Sequence, residues 1–303
     1  KIDQDYVQGF DRRLRQGLCE PHWIDVDFGS DFLPKDSGSS ESIYLVLTGW
    51  ILPTDTSLNI QIDQNPELQP IEFPSLWVPD SEETSGWRKA IPFVGFPGGK
   101  TKTIVVDVTD AINREDPRMR VRTSAQIYWD AAEVAVQSEP AAFQTHSLTL
   151  IDAKLNYRGF SKRIKESPQA PETYDYDQSS VSPKWPPLTG HFTQYGDCAG
   201  LLADWDDAMV VMGSGDEMAL QFSVPADAPP PGWKRDFVLH CVGWDKDADL
   251  NTLSGQSAGP LPFKQMLTYP PTRQQSELTD QIDRLNSPHL NRVHDFRAFW
   301  SRP

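Results

Sequence analysis

Residues 43–50 read Ile-Tyr-Leu-Val-Leu-Thr-Gly-Trp, and residues 237–244 read Phe-Val-Leu-His-Cys-Val-Gly-Trp. Ile43, Leu45 and Leu47 recur at every second position, as do Phe237, Leu239 and Cys241, which is the period of a strand with one face on a core. The likeness extends outward in both directions. Phe28 precedes the first stretch and Phe222 the second, Asp55 follows the first and Asp249 the second, and one offset of 194 also carries Ile24 to Met218 and Val26 to Leu220. Each copy is expected to be a strand ending in Phe, a Pro- or Ser-rich connection, and a second strand ending in Gly-Trp before a polar loop. A duplication of this kind predicts the same hairpin geometry for Phe28, Gly49 and Trp50 as for Phe222, Gly243 and Trp244.

Around the first copy, short apolar runs alternate with Pro, Gly, Asp and Asn. Strands are expected over Trp23–Phe28, Ile43–Trp50, Leu58–Ile62, Ile71–Val78, Thr103–Val108, Arg120–Trp129, Glu133–Val136 and Ser147–Tyr157. That number at that spacing predicts a mainly β chain with a jelly-roll-like β-sandwich over residues 21–160, after a lead-in of residues 1–20. Residues 161–195, rich in Pro, Ser, Tyr and charge, read as an extended connector. Met209–Met212, Asp216–Phe222 and Arg235–Trp244 then suggest a second, smaller β-sandwich-like domain over residues 196–270, packed on the first. The helical spacing of Leu278, Ile282 and Leu285, and a further run from Leu290 to Trp300, predict short helices in a tail of residues 271–303.

Of the 303 residues, 38% are hydrophobic, including 10 Trp and 14 Phe, so the chain can fill real cores. The formal charge of -15, with no segregated basic stripe, argues against a nucleic-acid partner. No apolar run approaches the roughly 18 residues a membrane-spanning helix needs. The chain opens on Lys1, which suggests a processed product or an excised fragment. Cys19, Cys198 and Cys241 form an odd set without a CxxC pair; Cys241 reads as a small buried hydrophobe, and a Cys19–Cys198 bridge is open in an oxidising compartment.

Several segments resemble the region C-terminal to the FG-GAP propeller and ASPIC/UnbV domain in bacterial proteins similar to cartilage acidic protein. They are Gly17–Phe28 (GLCEPHWIDVDF), Tyr44–Asn59 (YLVLTGWILPTDTSLN), Gly95–Val108 (GFPGGKTKTIVVDV), Val121–Asp130 (VRTSAQIYWD), Tyr157–Phe160 (YRGF), Tyr195–Phe222 and Arg235–Pro262. The resemblance implies a secreted or cell-surface protein of the bacterial envelope, of which this is the tail. It supplies no catalytic residue and does not support a disulfide.

Asp245, Asp247, Asp249 and Asn251 place oxygen ligands at alternate positions after a strand, chemistry suited to a structural calcium ion. Leu250 stands where an EF-hand needs Gly, so that loop type is excluded; the other reading is a solvated turn, and Asp55 with Asn59 is the weaker counterpart in the first copy. Asp204, Asp206, Asp207, Asp216 and Glu217 surround Trp205 and could serve paired acid/base hydrolysis of a glycoside, or simply cap turns. The six histidines show no HxH or HExxH spacing, and Gly213-Ser214-Gly215 lacks the nucleophile-elbow pattern. Trp77, Trp87, Trp185 and Trp205 stand in polar or Pro-rich surroundings and are the candidates for stacking on sugars or on a protein partner.

The leading expectation is therefore a non-enzymatic extracellular β-sandwich module for adhesion, glycan contact or assembly of a larger envelope protein, with a glycan, a protein or another copy of itself as partner. A carbohydrate-active hydrolase using carboxylates near Trp205 is one alternative, and a haem-binding subunit of an electron-transfer complex with a Met or His ligand is another.

Overall fold

A computed structural model of the chain describes residues 2–33, 41–137, 143–181, 188–246, 248 and 255–294. The fold is mainly β, and the chain divides into two compact units. The first contains residues 1–143 and 163–174, the second residues 144–162 and 175–303. No helix among the described residues is long and apolar enough to cross a membrane.

Among the described residues, the two larger sheets of the first unit are built from β1 (Val7–Gln8), β2 (Arg13–Arg15), β3 (Leu18–Val26), β4 (Ser42–Ile51), β5 (Ser75–Pro79), β6 (Trp87–Ile91), β7 (Lys102–Asp107), β8 (Met119–Ala125) and β9 (Ile127–Gln137). One sheet has the order β1-β9-β4-β7 and the other β2-β3-β8-β5-β6. The steps β3 to β4, β4 to β5, β6 to β7, β7 to β8 and β8 to β9 all change sheet, the crossing habit of a jelly roll. Ile43, Leu45 and Leu47 of β4, as the alternation requires, meet Leu76 of β5 and Val121 of β8 in one core between the sheets.

The step from β8 to β9 takes a single residue, Gln126. It is buried, and each of its polar groups is engaged. Its N–H donates to the Gly17 carbonyl (3.0 Å) and its carbonyl accepts from Leu52 N–H (2.9 Å). Its side-chain oxygen accepts from Gly17 N–H (3.3 Å), and Nε2 donates to the Tyr128 hydroxyl (2.6 Å). The run expected as one strand from Arg120 to Trp129 is thus two, belonging to different sheets.

A bulge follows in β9. Thr48 pairs with Ala131 but Gly49 with Trp129, so Asp130 is the extra residue. Its carboxylate accepts the N–H groups of Asp3 (3.1 Å) and Gln4 (3.0 Å). Beyond the bulge Trp50 joins a second core of Phe10, Cys19 and Tyr128, stacking on Tyr128 at 4.9 Å and donating its indole N–H to the Gln169 carbonyl (2.8 Å). Residues 1–20 are therefore more than a lead-in: Phe10 closes this core and β1 extends the sheet.

Leu58–Ile62, expected as a strand, lies in helix α1 (Thr56–Gln64). Asp55 favours this outcome by capping Leu58 N–H at 2.7 Å.

The second unit is smaller in its sheets. Strand β10 (Leu150–Tyr157), which the spacing had assigned to the sandwich, instead pairs with β14 (Gly196–Asp197) and β15 (Asp216–Phe222) over a core of Ala153, Leu155 and Cys198. Within the expected connector, β11 (Phe160–Ile164) and β12 (Thr173–Ser180) form a two-stranded sheet, and β13 (Gly190–Phe192) pairs with β16 (Arg292–His294). Helix α2 (Ser276–Asn286) appears where Leu278 and Ile282 predict it and closes a cluster with Leu261 and Phe263. The expected helix from Leu290 is replaced at residues 292–294 by β16; residues 295–300 lie outside the described residues. Met209–Met212 is not a strand, although Val211 accepts a backbone bond from Thr193.

The two repeat copies do not share a geometry. Phe28 follows β3 and Trp50 lies within β4, strands of different sheets, whereas residues 235–244 are assigned to no strand. Trp50 is 5% exposed and Trp244 55%. Cys241, expected in a core, is exposed, and Cys19 and Cys198 are both free, buried thiols; burial pushes the Cys19 thiol up to about 11. A Cβ on Gly49 would lie 2.4 Å from the Tyr128 carbonyl oxygen, while one on Gly243 would meet nothing within 4 Å. Gly49→Ala is therefore expected to cost about 1–3 kcal/mol or more, and Gly243→Ala less than about 0.5 kcal/mol. Thermal melts of the two variants check this, and equal losses would reinstate the duplication.

Candidate functional site

The outer face of the five-stranded sheet gathers side chains from four neighbouring strands. Val121 and Met119 of β8 point into the core, which turns Arg120 and Arg122 outward; Val78 and Leu76 do the same for Trp77 of β5. Across the ladder Trp23 faces Arg122, Asp25 faces Arg120, Trp77 lies opposite both Arg120 and Lys89, and Trp87 is opposite Pro79. Every one of these side chains is on the same face by register alone.

The contacts are cation on ring. The Arg120 guanidinium lies 4.5 Å from the Trp23 ring centroid and 4.1 Å from that of Trp87, so one cation serves two indoles. Its Nε and Nη2 also donate to Asp25 at 2.6 and 2.8 Å. Arg122 and Lys89 approach the Trp77 ring at 5.5 and 5.2 Å, and Arg118 approaches Trp87 at 5.8 Å. Glu72 lies 3.2 Å from Arg122 Nε, and Asp116 holds Arg118. Each arginine thus has a carboxylate at hand, and the platform is close to neutral although the chain carries -15. The indoles are fixed in place, and Trp23 remains 47% exposed.

Of the tryptophans singled out from the sequence, Trp77 and Trp87 come together here. Trp23 belongs with them and was missed. The signal was present: the inward alternation of Ile24 and Val26 leaves Trp23 and Asp25 outward, and Arg120-Val-Arg does the same for the cations. Trp185 lies outside the described residues. Trp205 belongs to the second unit, 62% exposed, with the Lys264 ammonium 4.9 Å above its ring.

The carboxylates around Trp205 are engaged in local structure. Asp204 accepts from Trp205 N–H (2.7 Å), Asp206 from Ala208 N–H (2.9 Å) and Asp207 from Lys264 N–H (2.8 Å). Glu217 pairs with Arg158 at 2.9 Å. Asp216 is the most enclosed, its side chain 1% exposed against Arg292. It also accepts from the Tyr195 hydroxyl (2.8 Å) and Gly213 N–H (2.7 Å). Arg292 continues to the Thr193 carbonyl (3.0 Å) and His294 Nε2 (2.9 Å). Burial, then the bond to Asp216, pushes Tyr195 up to about 12; burial and the neighbouring guanidinium depress His294. This network ties β13, β15 and β16 together.

Of the proposed cation loop only Asp245 is described, and it is exposed; Asp247, Asp249 and Asn251 lie outside the described residues. Among the described residues no group of three or more His, Cys, Asp or Glu side chains is placed to hold a metal ion.

Comparison of the chain with protein-family models, with curated proteins and with solved structures gives no match.

The Asp216 network yields a stability prediction. Arg292→Ala leaves a buried carboxylate without its cation and is expected to cost about 3–5 kcal/mol, measured by denaturant unfolding. Because Tyr195 is raised in the folded state, its contribution is full below pH 10 and is lost as the pH rises toward about 12. Spectroscopic titration of wild type against Tyr195→Phe should show one tyrosinate appearing late.

Proposed function

We propose that the first unit is a non-catalytic binding module that lays a neutral glycan chain along the Trp23, Trp77 and Trp87 face. The observation that carries this reading is the convergence of three indoles from neighbouring strands onto one sheet face, each fixed by an adjacent cation. The positively polarised C–H groups of a pyranose dock on the negative face of an indole, and guanidinium N–H groups beside the rings can donate to sugar hydroxyls. Fixed rings lose little side-chain freedom on binding. The near-neutral platform offers no excess charge to select an anionic polymer.

The resemblance of the quoted segments to tails of bacterial surface proteins supports a place at the cell envelope, where a glycan-contacting sandwich would serve adhesion or the assembly of a larger protein. The carboxylates around Trp205 bind loop N–H groups and cations, so no observation favours the hydrolase reading. Nor does any described residue pair point to haem.

The test is a titration with soluble neutral polysaccharides, a β-glucan and a xylan, followed by tryptophan fluorescence and calorimetry. Trp23→Ala with Trp77→Ala is expected to weaken binding by more than about tenfold with the circular dichroism unchanged, and Trp205→Ala to leave it as it was. Absence of binding to any glycan, or binding indifferent to the double substitution, would remove the assignment. Release of reducing ends during the titration would replace it with an enzyme.

A further inference from the structure

Strand β3 carries a buried ionisable side chain that the tryptophan face does not use. His22 is 5% exposed, and its Nδ1 lies 2.9 Å from the Glu20 carbonyl, which can only accept, so the neutral ring holds its proton on Nδ1. Nε2 is left with a lone pair. It is shut off from the surface and meets no hydrogen-bond partner in the protein among the described residues. A bare lone pair costs little there, whereas a second N–H carrying positive charge would be buried without an acceptor.

The amino-terminal strap covers this ring. Phe10 packs on it edge to face at 5.3 Å, and a Cβ on Gly9 would lie 3.0 Å from Cδ2, the carbon bonded to Nε2. Across the ladder Thr123 of β8 stands opposite His22 and donates its hydroxyl to the Glu72 carbonyl (2.7 Å). Burial holds His22 below its ordinary value, against the Glu20 carbonyl bond and the Glu20 carboxylate, which both pull the other way. Beyond Phe10, Arg13 approaches that ring at 5.9 Å and Cys19 and Tyr128 complete the core, so this side brings no carboxylate.

The strap is the element that can yield. Strand β3 is laddered to β8 from Leu18 to Val26, and lifting it would break the sheet. The strap is held by two residues of β1 on β9, the short ladder of β2 on β3, the Asp130 carboxylate and the bonds between Arg12 and Glu20 (3.2 Å each way), with Phe10 as its buried anchor. Water reaches Nε2 when Gly9 and Phe10 lift.

We propose that His22 is an acid switch, whose protonation unseats Gly9 and Phe10 and opens the amino-terminal strap, baring the core of Cys19, Trp50 and Tyr128 while the ladders of β3 with β8 and β4 with β9 stay paired. With the strap open, His22 meets water and titrates near its ordinary value of about 6.5; with it closed, the ring titrates lower. Closure is therefore at full strength above about pH 6.5. Below it the open state gains the proton first, and the open-to-closed ratio rises by up to about tenfold per pH unit until the closed ring titrates too.

Cys19 reports on the opening, because it is buried in the core that Phe10 closes; Cys198, also buried but in the other unit, is the reference for the slower thiol chemistry in acid. The experiment labels the intact chain with a pyridyl disulfide, which reacts with thiols in mild acid, and reads each site by mass spectrometry. The Cys19-to-Cys198 labelling ratio is expected to be constant above neutrality, to rise by up to about tenfold per pH unit below about pH 6.5, and to recover on return to neutral pH. Amide exchange of residues 7–15 should accelerate with it while β4 stays protected. His22→Gln, which gains no proton, should keep the ratio flat. Where that variant leaves the strap open at every pH, the titration midpoint of the wild-type His22 Cε1 proton in nuclear magnetic resonance decides: it must lie below about 6.5, with the labelling rise levelling off there. A wild-type ratio indifferent to pH, the same rise in His22→Gln, or a His22 that takes up its proton while Cys19 stays covered overturns the proposal.

Discussion

The corner at Gln126 is the constraint on which the sandwich rests. Two strands of different sheets meet there with one residue between them, so a backbone unit must turn inside the core without losing its hydrogen bonds. An unmet buried amide or carbonyl costs about 1–3 kcal/mol, and here the backbone N–H and C=O and both side-chain ends are met. The partners lie just before β3 (Gly17), just after β4 (Leu52) and at the start of β9 itself (Tyr128). Gly17 has φ +71 and sits where a Cβ would lie 2.3 Å from the Thr54 nitrogen, so its identity is as constrained as that of Gln126. Because β3, β4 and β9 all begin or end at this point, the relative level of the two sheets follows from one residue's satisfied polar groups.

Much of this was legible where a period of two met a one-sided core. Ile43, Leu45 and Leu47 announce β4, and Leu278 with Ile282 announces α2, because burial follows the period directly. Sequence reasoning failed where a local polar bond outweighed the period. Leu58, Ile60 and Ile62 alternate like a strand, but Asp55 caps Leu58 and the chain turns helical. It failed again at residues 235–244, where the pattern is real and its partner in the chain is absent among the described residues. Ring packing added a third difficulty: Gly-Trp at 49–50 and at 243–244 are the same letters, yet only the first lies beside a β-bulge that swings the indole onto Tyr128. The candidate site was half visible. Trp77 and Trp87 could be singled out by their polar neighbours, whereas their union with Trp23 and Arg120 depends on the order β3-β8-β5-β6, which no local pattern contains.

The outer face also shows how an acidic chain can present cations without a basic patch. Arg118, Arg120 and Arg122 alternate along β8 and its approach, each held by a carboxylate from the same or a neighbouring element. Asp25 orients the Arg120 plane, and that plane in turn orients two indoles. Net charge is cancelled locally while the cations and rings are kept together on one face.

The bulge at Asp130 has a mechanical consequence. Its carboxylate holds the backbone of Asp3 and Gln4, and the two-residue clip of β1 on β9 lies immediately after. Tension arriving from the amino-terminal side therefore loads this clasp before it reaches the longer ladders of β4 and β9. The clasp would yield first and expose Phe10 and the ring stack beneath it, leaving the jelly-roll core intact. Detaching the amino-terminal strap would thus lengthen the chain while the ladders of β4 with β7 and β9 stay paired.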